Sequence, residues 1–478
     1  MLIYFLGIGG TAMGHAAILF KKMGHEVLGS DYELYPPMSL VLEKEGITYF
    51  NGFDDSRLST INPDLVVIGN ALSRGNVEVE WVLNHPKVQK IALPELISRY
   101  LLSDKKPIVV TGTHGKTTTS SMIAHLLMQN ELNPSWFIGG VPKSLPSGAN
   151  LGKGEAFVIE GDEYDSAFFD KRSKFIHYKP FIATINNIEM DHADIFRDII
   201  AVKQSFEHFI RLIPSNGVLI VNGDDSNIQS LLPINLCPVL TVGIDPSNDL
   251  YLSNYSENDG GSSFSLYYKG SHWSDVSLDL IGFFNARNAA IAALSAGMFY
   301  DSKQPTKLNI ECLSSFKGVT RRQECLYRDP LIGIFEDFAH HPSSLKKIIR
   351  TFKNSHSDSR LVICFEPRSN TARSSLFQNE FTDALKKANF VKIAPVPKSK
   401  HVATESYLDT DRIVQELKSL TVEAKNYADN EDLKQSLIQL VIEARTMKQK
   451  TTIVFCTNGS FDGIIQQFVN ELKGDSNS

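Results

Sequence analysis

The sequence predicts an α/β protein with parallel sheets, divided into three domains. Short apolar runs of strand length alternate with segments of helical period along almost the whole chain, which is typical of parallel strands joined by crossover helices. The chain has 478 residues, too many for one hydrophobic core, because domains usually hold about 100 to 200 residues. Polar or proline-containing breaks at 103–107 and 316–320 each precede a new α/β unit.

Strands are predicted from the apolar runs, in order along the chain. They fall at residues 3–8, 27–30, 65–69, 108–111, 156–160, 182–186, 218–222, 332–335, 361–365 and 452–456. A different pattern fills 253–279, which is rich in serine, glycine and aromatic residues and alternates locally, so we expect antiparallel strands there. The breaks then delimit an N-terminal domain over 1–104, a central domain over 105–317 that includes the antiparallel strands, and a C-terminal domain over 318–478.

Composition and charge restrict the class of protein. Apolar residues at 42% and charged residues at 21% are near globular averages and exclude a mainly disordered or fibrous chain. A net charge of −6 argues against non-specific binding of nucleic acid or anionic lipid and favours small-molecule partners. The five cysteines include no C-x-x-C pair, as expected in a reducing compartment. Since we see no signal peptide and no apolar run of about 18 residues, we expect a cytosolic protein without membrane insertion.

The first candidate site is the glycine-rich sequence G-I-G-G-T-A-M-G at 7–14, where a predicted strand ends and a helical segment begins. Glycines there permit a tight turn and close approach of a phosphate, and the free N–H groups of the helix start favour an anion. An acidic residue ends the next strand, where a ribose-binding carboxylate would lie. The predicted nucleotide-binding residues are Gly7, Gly9, Gly10, Thr11 and Asp31. Alone, the pattern fits a nicotinamide cofactor or a UDP-sugar.

The second candidate site is T-G-T-H-G-K-T-T-T at 111–119, which follows a strand and opens a helix. Its backbone N–H groups can cradle phosphates, Lys116 can reach the β/γ oxygens, and the Thr117 hydroxyl can hold Mg²⁺. It departs from the G-x-x-x-x-G-K-[ST] pattern at the first position, which is Val110. The pattern nevertheless predicts ATP or GTP binding. The predicted residues are Gly112, Thr113, Gly115, Lys116, Thr117 and Thr118.

Acidic residues follow two further predicted strands. E-G-D-E-Y-D-S-A-F-F-D begins at Glu160, which is best placed to ligate Mg²⁺ at the crevice beyond the strand. N-N-I-E-M-D-H-A-D-I-F begins at Asn186 and places His192 after another strand, where it could bind a second metal ion or cap the next helix. The predicted metal ligands are therefore Thr117, Glu160 and His192.

Three basic or histidine-containing clusters lie in the last third of the chain. They are F-K-G-V-T-R-R-Q-E at 316–324, E-D-F-A-H-H-P-S-S at 336–344 and F-E-P-R-S-N-T-A-R at 365–373. Single arginine pairs are usually solvated. Three clusters at a domain junction and on successive strand ends are better explained by a shared anionic site.

These motifs, in this order and over essentially the whole chain, resemble the ATP-dependent Mur ligase family, the amino acid and peptide ligases of peptidoglycan synthesis. The most specific pieces are T-G-T-H-G-K-T-T, the acidic E-x-D-E-x-D, the pair Asn285 and Asn288, and the arginine after F-K-G. The opening glycine sequence and D-F-A-H-H-P resemble the branch that acts on UDP-N-acetylmuramate. G-N-A-L-S-R-G-N at 69–76, the acidic stretch and F-E-P-R-S-N-T resemble the members that recycle L-Ala-γ-D-Glu-meso-diaminopimelate.

The resemblance implies a role for each domain. An N-terminal Rossmann-like domain would bind the UDP-sugar, with Ser73 among its contacts, and a central P-loop domain would bind ATP. A C-terminal Rossmann-like α/β domain would bind the incoming peptide. By resemblance, Asn285, Asn288 and Arg322 join the ATP site, Lys116, His114, Arg322, Asp337 and His340 are catalytic, and Arg368 and Asn370 read the peptide. Phe284 and Phe338 replace residues that are often His and Tyr in the family.

The implied activity is an ATP- and Mg²⁺-dependent ligation of the tripeptide to UDP-N-acetylmuramate through an acyl phosphate, in peptidoglycan recycling. The alternative within the family is the ligase that adds L-alanine to the same sugar nucleotide. A nicotinamide-dependent oxidoreductase is the alternative from another class, but it would leave Lys116 and the acidic clusters without a role. A non-catalytic nucleotide switch would need no second α/β domain with basic clusters.

Overall fold

The structure is a computed structural model that describes residues 1–34, 38–191, 195–258, 260–397 and 407–475. It is an α/β protein, as predicted, with one main sheet in each third of the chain. Within the described ranges, no helix combines the length and the apolar character needed to cross a bilayer.

The N-terminal sheet is parallel throughout. Its strands are β1 (Leu2–Leu6), β2 (Glu26–Asp31), β3 (Thr48–Asn51), β4 (Leu65–Ile68) and β5 (Gln89–Ala92). Its helices are α1 (Thr11–Lys22), α2 (Met38–Lys44), α3 (Asp55–Ile61), α4 (Val77–Asn84) and α5 (Leu93–Tyr100). The strand order is β3-β2-β1-β4-β5. β1 and β4 are neighbours and are almost entirely buried, because helices cover both faces of the sheet.

The central unit has a sheet of ten strands. Its strands are β6 (Lys106–Thr111), β7 (Ser135–Phe137), β8 (Ala149–Asn150), β9 (Ala156–Glu160), β12 (Ile182–Ile185), β13 (Val218–Asn222), β14 (Val239–Gly243), β15 (Leu250–Asn258), β16 (Gly261–Tyr268) and β17 (Ser271–Leu278), in the order β17-β16-β15-β14-β13-β12-β6-β9-β7-β8. A small separate hairpin consists of β10 (Asp165–Ala167) and β11 (Asp170–Ser173). β15, β16 and β17 are antiparallel, as the alternation at 253–279 predicts.

The helices of the central unit bring two of the predicted ATP-binding segments together. They are α6 (Lys116–Gln129), α7 (Ile199–Ile210), α8 (Ser226–Gln229) and α9 (Phe283–Tyr300). α6 and α9 share one hydrophobic cluster, in which α9 contributes mainly fully buried alanines such as Ala289 and Ala293. Small side chains let the two helices approach closely, and this places the start of α9 against the start of α6.

The C-terminal unit has a sheet of six strands. They are β18 (Glu324–Arg328), β19 (Ile332–Asp337), β20 (Arg360–Phe365), β21 (Phe390–Ile393), β22 (Glu423–Asn426) and β23 (Thr451–Cys456), in the order β18-β19-β23-β20-β21-β22. Only β18 is antiparallel to its neighbour. The helices are α10 (Pro342–Ser355), α11 (Asn370–Arg373), α12 (Gln378–Leu385), α13 (Thr410–Ser419), α14 (Asn430–Thr446) and α15 (Ile464–Asp475). The segments after β19, β23 and β20 therefore lie side by side at one edge.

Candidate active site

The segment between β6 and α6 is the predicted phosphate-binding loop, called the phosphate loop below, and close contacts require its two glycines. Gly112 has φ +125°, and a Cβ there would lie 3.0 Å from the backbone nitrogen of Asn186. Gly115 has φ +84°, and a Cβ there would lie 2.7 Å from Oδ1 of Asn288. Since any larger residue would displace one of these neighbours, the loop packs against both the end of β12 and the start of α9. Thr118, in the first turn of α6, is buried.

Lys116 lies across this loop and is held by acidic residues. Its Nζ donates to the Gly112 carbonyl and to Oε2 of Glu163, both at 2.8 Å, and Asp162 Oδ1 lies 3.9 Å away. Burial alone would lower the pKa of Lys116, but Glu163 and Asp162 outweigh it and raise the pKa. Lys116 is therefore a firmly charged ammonium group at the position where phosphate oxygens would bind.

Glu160 and Thr117 form a set of oxygen donors beside the loop. The Thr117 hydroxyl donates to Oε2 of Glu160 at 3.3 Å, and the Gly139 N–H donates to Oε1 at 3.0 Å. Burial and the nearby Asp162 carboxylate raise the pKa of Glu160 to about 7. Crowded carboxylates and a hydroxyl are the donors that Mg²⁺ prefers, so these residues fit such an ion. His192, the third predicted ligand, lies outside the described residues.

Two adjacent arginines at the start of the C-terminal unit point to different neighbours. Arg321 and Gln323 both have left-handed backbone angles, with φ +62° and +48°. Arg321 turns into the C-terminal unit, where it pairs with Glu336 and donates to the Thr457 carbonyl. Left-handed residues other than glycine are costly and are common at functional sites, and these two leave Arg322 free to face the opposite direction.

Arg322 faces the central unit. Its guanidinium lies 4.7 Å from the centroid of the Phe338 ring, and within the described ranges its side chain forms no hydrogen bond. Burial lowers the pKa of Arg322, while Asp337 and Glu160 oppose that shift. The same charge acts on Glu160 from the other side and favours its ionised form. A cation from the C-terminal unit thus lies close to the carboxylate that Thr117 contacts.

Asp337 and His340 form the turn after β19. Asp337 is buried, and each of its carboxylate oxygens accepts one backbone hydrogen bond. Oδ2 accepts from the Gln323 N–H at 2.9 Å and Oδ1 from the Ala339 N–H at 2.8 Å, so the carboxylate holds both backbone segments in place. Burial raises the pKa of Asp337, against the effect of Arg322. Nδ1 of His340 lies 2.9 Å from the Phe338 carbonyl, and burial lowers its pKa. His340 is therefore neutral at pH 7, with Nδ1–H as donor and the lone pair on Nε2.

His114, in the phosphate loop, points toward the C-terminal unit. The backbone N–H of His114 donates to Oδ1 of Asn187 at 2.8 Å, and Nδ2 of Asn187 donates to the backbone carbonyl of His114 at 3.0 Å. The neighbouring Thr113 is bonded to the backbone of Glu189 in the same segment. Nε2 of His114 lies 3.0 Å from the Ser343 hydroxyl on α10 and 3.3 Å from Oε2 of Glu189. His114 thus bridges the two units.

Asn285 and Asn288 are buried in the first turns of α9. Nδ2 of Asn285 donates to the Ile281 carbonyl at 2.8 Å and to Oε1 of Gln323 at 3.1 Å. Asn288 lies against Gly115, as its contact with an added Cβ shows. Asn288 thus adjoins the phosphate loop, Asn285 adjoins the residue after Arg322, and their contact with adenine stays a prediction.

The start of α9 is held by the antiparallel strands. Gly282, with φ +94°, is the residue that precedes the helix. Its N–H donates to Oε2 of Glu257 on β15 at 2.8 Å, and the Tyr255 hydroxyl donates to the same carboxylate at 2.6 Å. Glu257 therefore satisfies a backbone group at the helix start that no side chain of α9 itself caps.

In the N-terminal unit, the glycine loop lies between β1 and α1. Gly7 has φ +85° and donates to the Ser30 carbonyl at 2.8 Å. The Gly9 N–H donates to Oδ2 of Asp31 at 2.8 Å, so the predicted ribose-binding carboxylate also holds the loop. Gly10 and Thr11 lie at the exposed start of α1, where the helix dipole favours an anion, and the Gly10 N–H already donates to the Gly7 carbonyl at 3.3 Å.

The loop at 69–76 borders this glycine loop, because β4 pairs with β1. An added Cβ on Gly7 would contact Leu72 at 3.7 Å. Ser73, one residue on, is exposed at the same edge. The edge also meets the central unit, since a Cβ on Gly148 would lie 2.5 Å from the His15 ring of α1. The helix that follows the glycine loop therefore packs against the central unit.

Arg368 and Asn370 follow β20 in the C-terminal unit. Nη1 of Arg368 lies 3.4 Å from Oε1 of the buried Glu366 and 3.4 Å from Oδ1 of the exposed Asp462. Asn370 begins α11. Arg321 donates to the Gly459 carbonyl, and a Cβ on Gly459 would lie 2.8 Å from Cγ of Arg368. The basic clusters at 316–324 and 365–373 thus border the same loop after β23.

Three residues of this region were missed by sequence reasoning. Glu163 pairs with Lys116, Glu189 pairs with His114, and His341 accepts from the Ser343 N–H at the start of α10. Glu163 and Glu189 lie in the two acidic stretches that follow strands, so their position in the sequence could have identified them as candidate site residues. His341 precedes a proline at the first position of a helix, where a capping residue is expected.

Two family models match the chain. One, described as Mur ligase family, catalytic domain, matches residues 2–103, and the other, described as Mur ligase middle domain, matches residues 110–296.

Individual relatives match over most of their length. The UDP-N-acetylmuramate–L-alanyl-γ-D-glutamyl-meso-2,6-diaminoheptandioate ligase of Escherichia coli K12 is 37% identical over 82% of this chain and 84% of its own. The crystal structure of a murein peptide ligase from Psychrobacter arcticus 273-4 covers 98% of both chains, with TM-score 0.72 and 31% identity. A UDP-N-acetylmuramate–L-alanine ligase of Desulforapulum autotrophicum is 31% identical over 85% of this chain and 85% of its own.

Proposed function

This chain belongs to the Mur ligase family, and on that premise we propose that it joins L-Ala-γ-D-Glu-meso-diaminopimelate to the carboxylate of UDP-N-acetylmuramate at the expense of ATP. The relative that carries this activity in its name is more similar to the chain, at 37% identity, than the L-alanine ligase at 31%. Since ATP and sugar nucleotides are held inside cells, we place the reaction in the cytoplasm.

The observation that carries the proposal is the meeting of charged groups from two units at one phosphate loop. Lys116 and Thr117 come from the loop, Glu160 from the end of β9, and Arg322 from the start of the C-terminal unit. A ligase must bring a second anion, the carboxylate, against the triphosphate, and Arg322 supplies the additional positive charge for it.

In the proposed reaction, a carboxylate oxygen of UDP-N-acetylmuramate attacks the γ-phosphorus of ATP, and ADP leaves. Lys116 and Arg322 offset the negative charge that builds up on the transferred phosphoryl group. Thr117 and Glu160 would hold Mg²⁺, which when bound neutralises phosphate charge. The peptide amine then attacks the acyl phosphate, an amide bond forms, and inorganic phosphate leaves. The neutral His340 offers its Nε2 lone pair as a hydrogen-bond acceptor for that amine.

We assign the sugar nucleotide to the N-terminal unit over 1–104, ATP to 105–317 and the peptide to 318–478. The exposed helix start at Gly10 and Thr11 suits a diphosphate, and α1 contacts the central unit where His15 meets Gly148. His114 lies on the side of the phosphate loop that faces α10, where the muramate carboxylate would approach.

Recognition of the tripeptide is assigned to Arg368 and Asn370. A diaminopimelate end carries a carboxylate far from the reacting amine, and a guanidinium can bind it through charge-assisted hydrogen bonds. The two contacts of Arg368 with Glu366 and Asp462 are long, at 3.4 Å, and leave most of its donors available. Free L-alanine is too short to place its amine at the acyl phosphate and a carboxylate at Arg368 at the same time.

The test is to supply UDP-N-acetylmuramate, ATP and Mg²⁺ with either the tripeptide or L-alanine, and to identify the product by mass spectrometry. We expect the tripeptide adduct and phosphate release that depends on the acceptor. Efficient ligation of L-alanine with no tripeptide adduct would establish the alternative within the family. Saturable binding of NAD(P) with none of UDP-N-acetylmuramate, measured by calorimetry, would contradict the assignment of the glycine loop.

A further inference from the structure

A cluster of three side chains able to bind a metal ion lies at the contact between the central and C-terminal units. His114, Glu189 and His341 each offer one ligand atom, and these atoms lie within 4.8 Å of one another. They come from the phosphate loop, the segment after β12 and the start of α10. None of them belongs to the oxygen site formed by Thr117 and Glu160.

The distances suit a tetrahedral ion. Nε2 of His114 and Oε2 of Glu189 are 3.3 Å apart, and two ligands of zinc at 2.0–2.1 Å in tetrahedral geometry are separated by about 3.4 Å. His341 is 6% exposed, and its Nε2 has no hydrogen-bond partner in the described part of the chain. Because the three ligand atoms lie within 4.8 Å of one another, side-chain shifts of at most about 1.4 Å bring them to the tetrahedral separation.

Neighbouring groups already orient these ligands. Nζ of Lys347 donates to Oε1 of Glu189 at 2.8 Å and thereby leaves Oε2 directed at His114. The Ser343 hydroxyl lies 3.0 Å from Nε2 of His114 and 2.8 Å from Nδ1 of His341. When Nε2 of His341 binds an ion, the proton lies on Nδ1, which can donate to the Ser343 hydroxyl, and outer contacts of this kind fix ring orientation in metal sites. The contact of the same hydroxyl with Nε2 of His114 occupies the ligand atom itself. A serine hydroxyl is itself a weak ligand, and it must rotate away when an ion enters.

We propose that His114, Glu189 and His341 bind one Zn²⁺ ion, and that bound zinc inhibits the enzyme by tying His114 to α10. Two imidazoles and one carboxylate are a common zinc set that leaves a fourth position for water, whereas Mg²⁺ prefers oxygen ligands throughout. The inhibition, unlike the binding, rests on the proposed function, in which His114 is needed by the muramate carboxylate.

Binding is tested by titrating the whole chain with Zn²⁺ against a chromophoric chelator, in millimolar Mg²⁺ so that the oxygen site is occupied. We expect one equivalent of zinc to bind, and His341→Ala and Glu189→Gln each to weaken it at least tenfold. Ser343→Ala should keep or tighten binding, and His272→Ala, at an exposed position on β17, should leave it unchanged. Thermal melting of each variant checks that it is folded.

Undiminished zinc binding in both folded variants, or no binding at micromolar zinc, overturns the site. If His341→Ala does not fold, Glu189→Gln decides alone, because glutamine keeps the size of the side chain. Inhibition is measured as each protein's ligase rate with zinc divided by its own rate without it. We expect micromolar zinc to inhibit the parent at least fivefold more than Glu189→Gln, and equal inhibition of the two overturns the inhibitory role. A chain that binds zinc but never ligates the tripeptide refutes the proposed function and leaves the site intact.

Discussion

Replacing Gly115 by alanine should weaken ATP binding in addition to destabilising the fold. The added Cβ would lie 2.7 Å from Oδ1 of Asn288 and 3.0 Å from Nδ2 of Asn186, and real Cβ atoms essentially never come closer than 3.0 Å to such neighbours. Neither neighbour moves freely, because Asn288 is 6% exposed and Asn186 donates to the Thr119 hydroxyl at 2.9 Å. The phosphate loop itself must therefore move.

The expected magnitude has two parts. Alanine at φ +84° pays a backbone penalty of about 1 to 2 kcal/mol, which appears in the free energy of unfolding. Displacing the loop by a few tenths of an ångström misaligns several N–H donors at once, and we expect a loss of about 1.4 kcal/mol or more in ATP binding, which is at least tenfold in Kd.

Gly24→Ala is the matched control. Gly24 has φ +88°, nearly the same backbone conformation, and an added Cβ there has no atom within 4 Å. Calorimetric titration with ATP and Mg²⁺, together with urea unfolding, compares the two variants. The reasoning is supported if the two variants lose similar free energies of unfolding and only Gly115→Ala loses ATP affinity. ATP affinity of Gly115→Ala within twofold of the parent would refute the claim that Asn288 constrains the loop.

Three further predictions concern charge. Lys116→Ala should lower acceptor-dependent phosphate release at least a hundredfold, because the ammonium group that offsets phosphate charge is removed, and should also lower the melting temperature, because the buried ion pair of Lys116 with Glu163 is lost. Release within a few-fold of the parent would exclude this loop as the catalytic phosphate site. Arg368→Ala should cost about 1.5 to 3 kcal/mol of transition-state stabilisation, so kcat/KM for the tripeptide should fall by about tenfold to a hundredfold or more while UDP-N-acetylmuramate affinity is unchanged. Both are measured with the purified variant, and an unchanged kcat/KM would contradict the peptide assignment. Hydrogen bonds from Arg172 lower the pKa of Asp170 to about 2. Because the folded pKa lies below the unfolded one, this stabilisation is complete above about pH 4 and is lost as the pH falls toward 2. Asp170→Asn should therefore cost about 1 kcal/mol at pH 7, and the urea midpoint of the variant should fall less between pH 4 and pH 2 than that of the parent. An identical fall in both proteins would show that the pair contributes nothing.

Sequence reasoning succeeded for strands that are buried on both faces. β12 was predicted within one residue and β6 within two, because buried parallel strands are uninterrupted apolar runs. β3, with the sequence T-Y-F-N, and β22, with E-A-K-N, were missed. Each is a short strand at the edge of its sheet, where contact with solvent permits polar residues, so no apolar run marks it. Such a strand is defined only by its hydrogen bonds to a neighbouring strand, and these are not visible in the sequence.

The candidate site divides in the same way. The phosphate loop is local in sequence, so its glycines, lysine and threonine could be identified together. The contact of Glu189 with Lys347 joins residues 158 positions apart, and no spacing rule predicts it. Arg321 and Arg322 are identical in kind and adjacent, and only the left-handed backbone on either side of Arg322 decides which of them faces Glu160. Each of these outcomes depends on tertiary packing.

The bond from Glu257 to the start of α9 has a consequence for shortening the chain. The antiparallel strands β15 to β17 lie at the far edge of the central sheet and contribute no predicted ligand, so they look dispensable in a minimal ATP-binding fragment. Deleting them would remove the acceptor for the Gly282 N–H and loosen the turn that presses Asn288 onto Gly115. A fragment trimmed to the parallel core would keep every residue of the phosphate-binding motif and still bind nucleotide poorly.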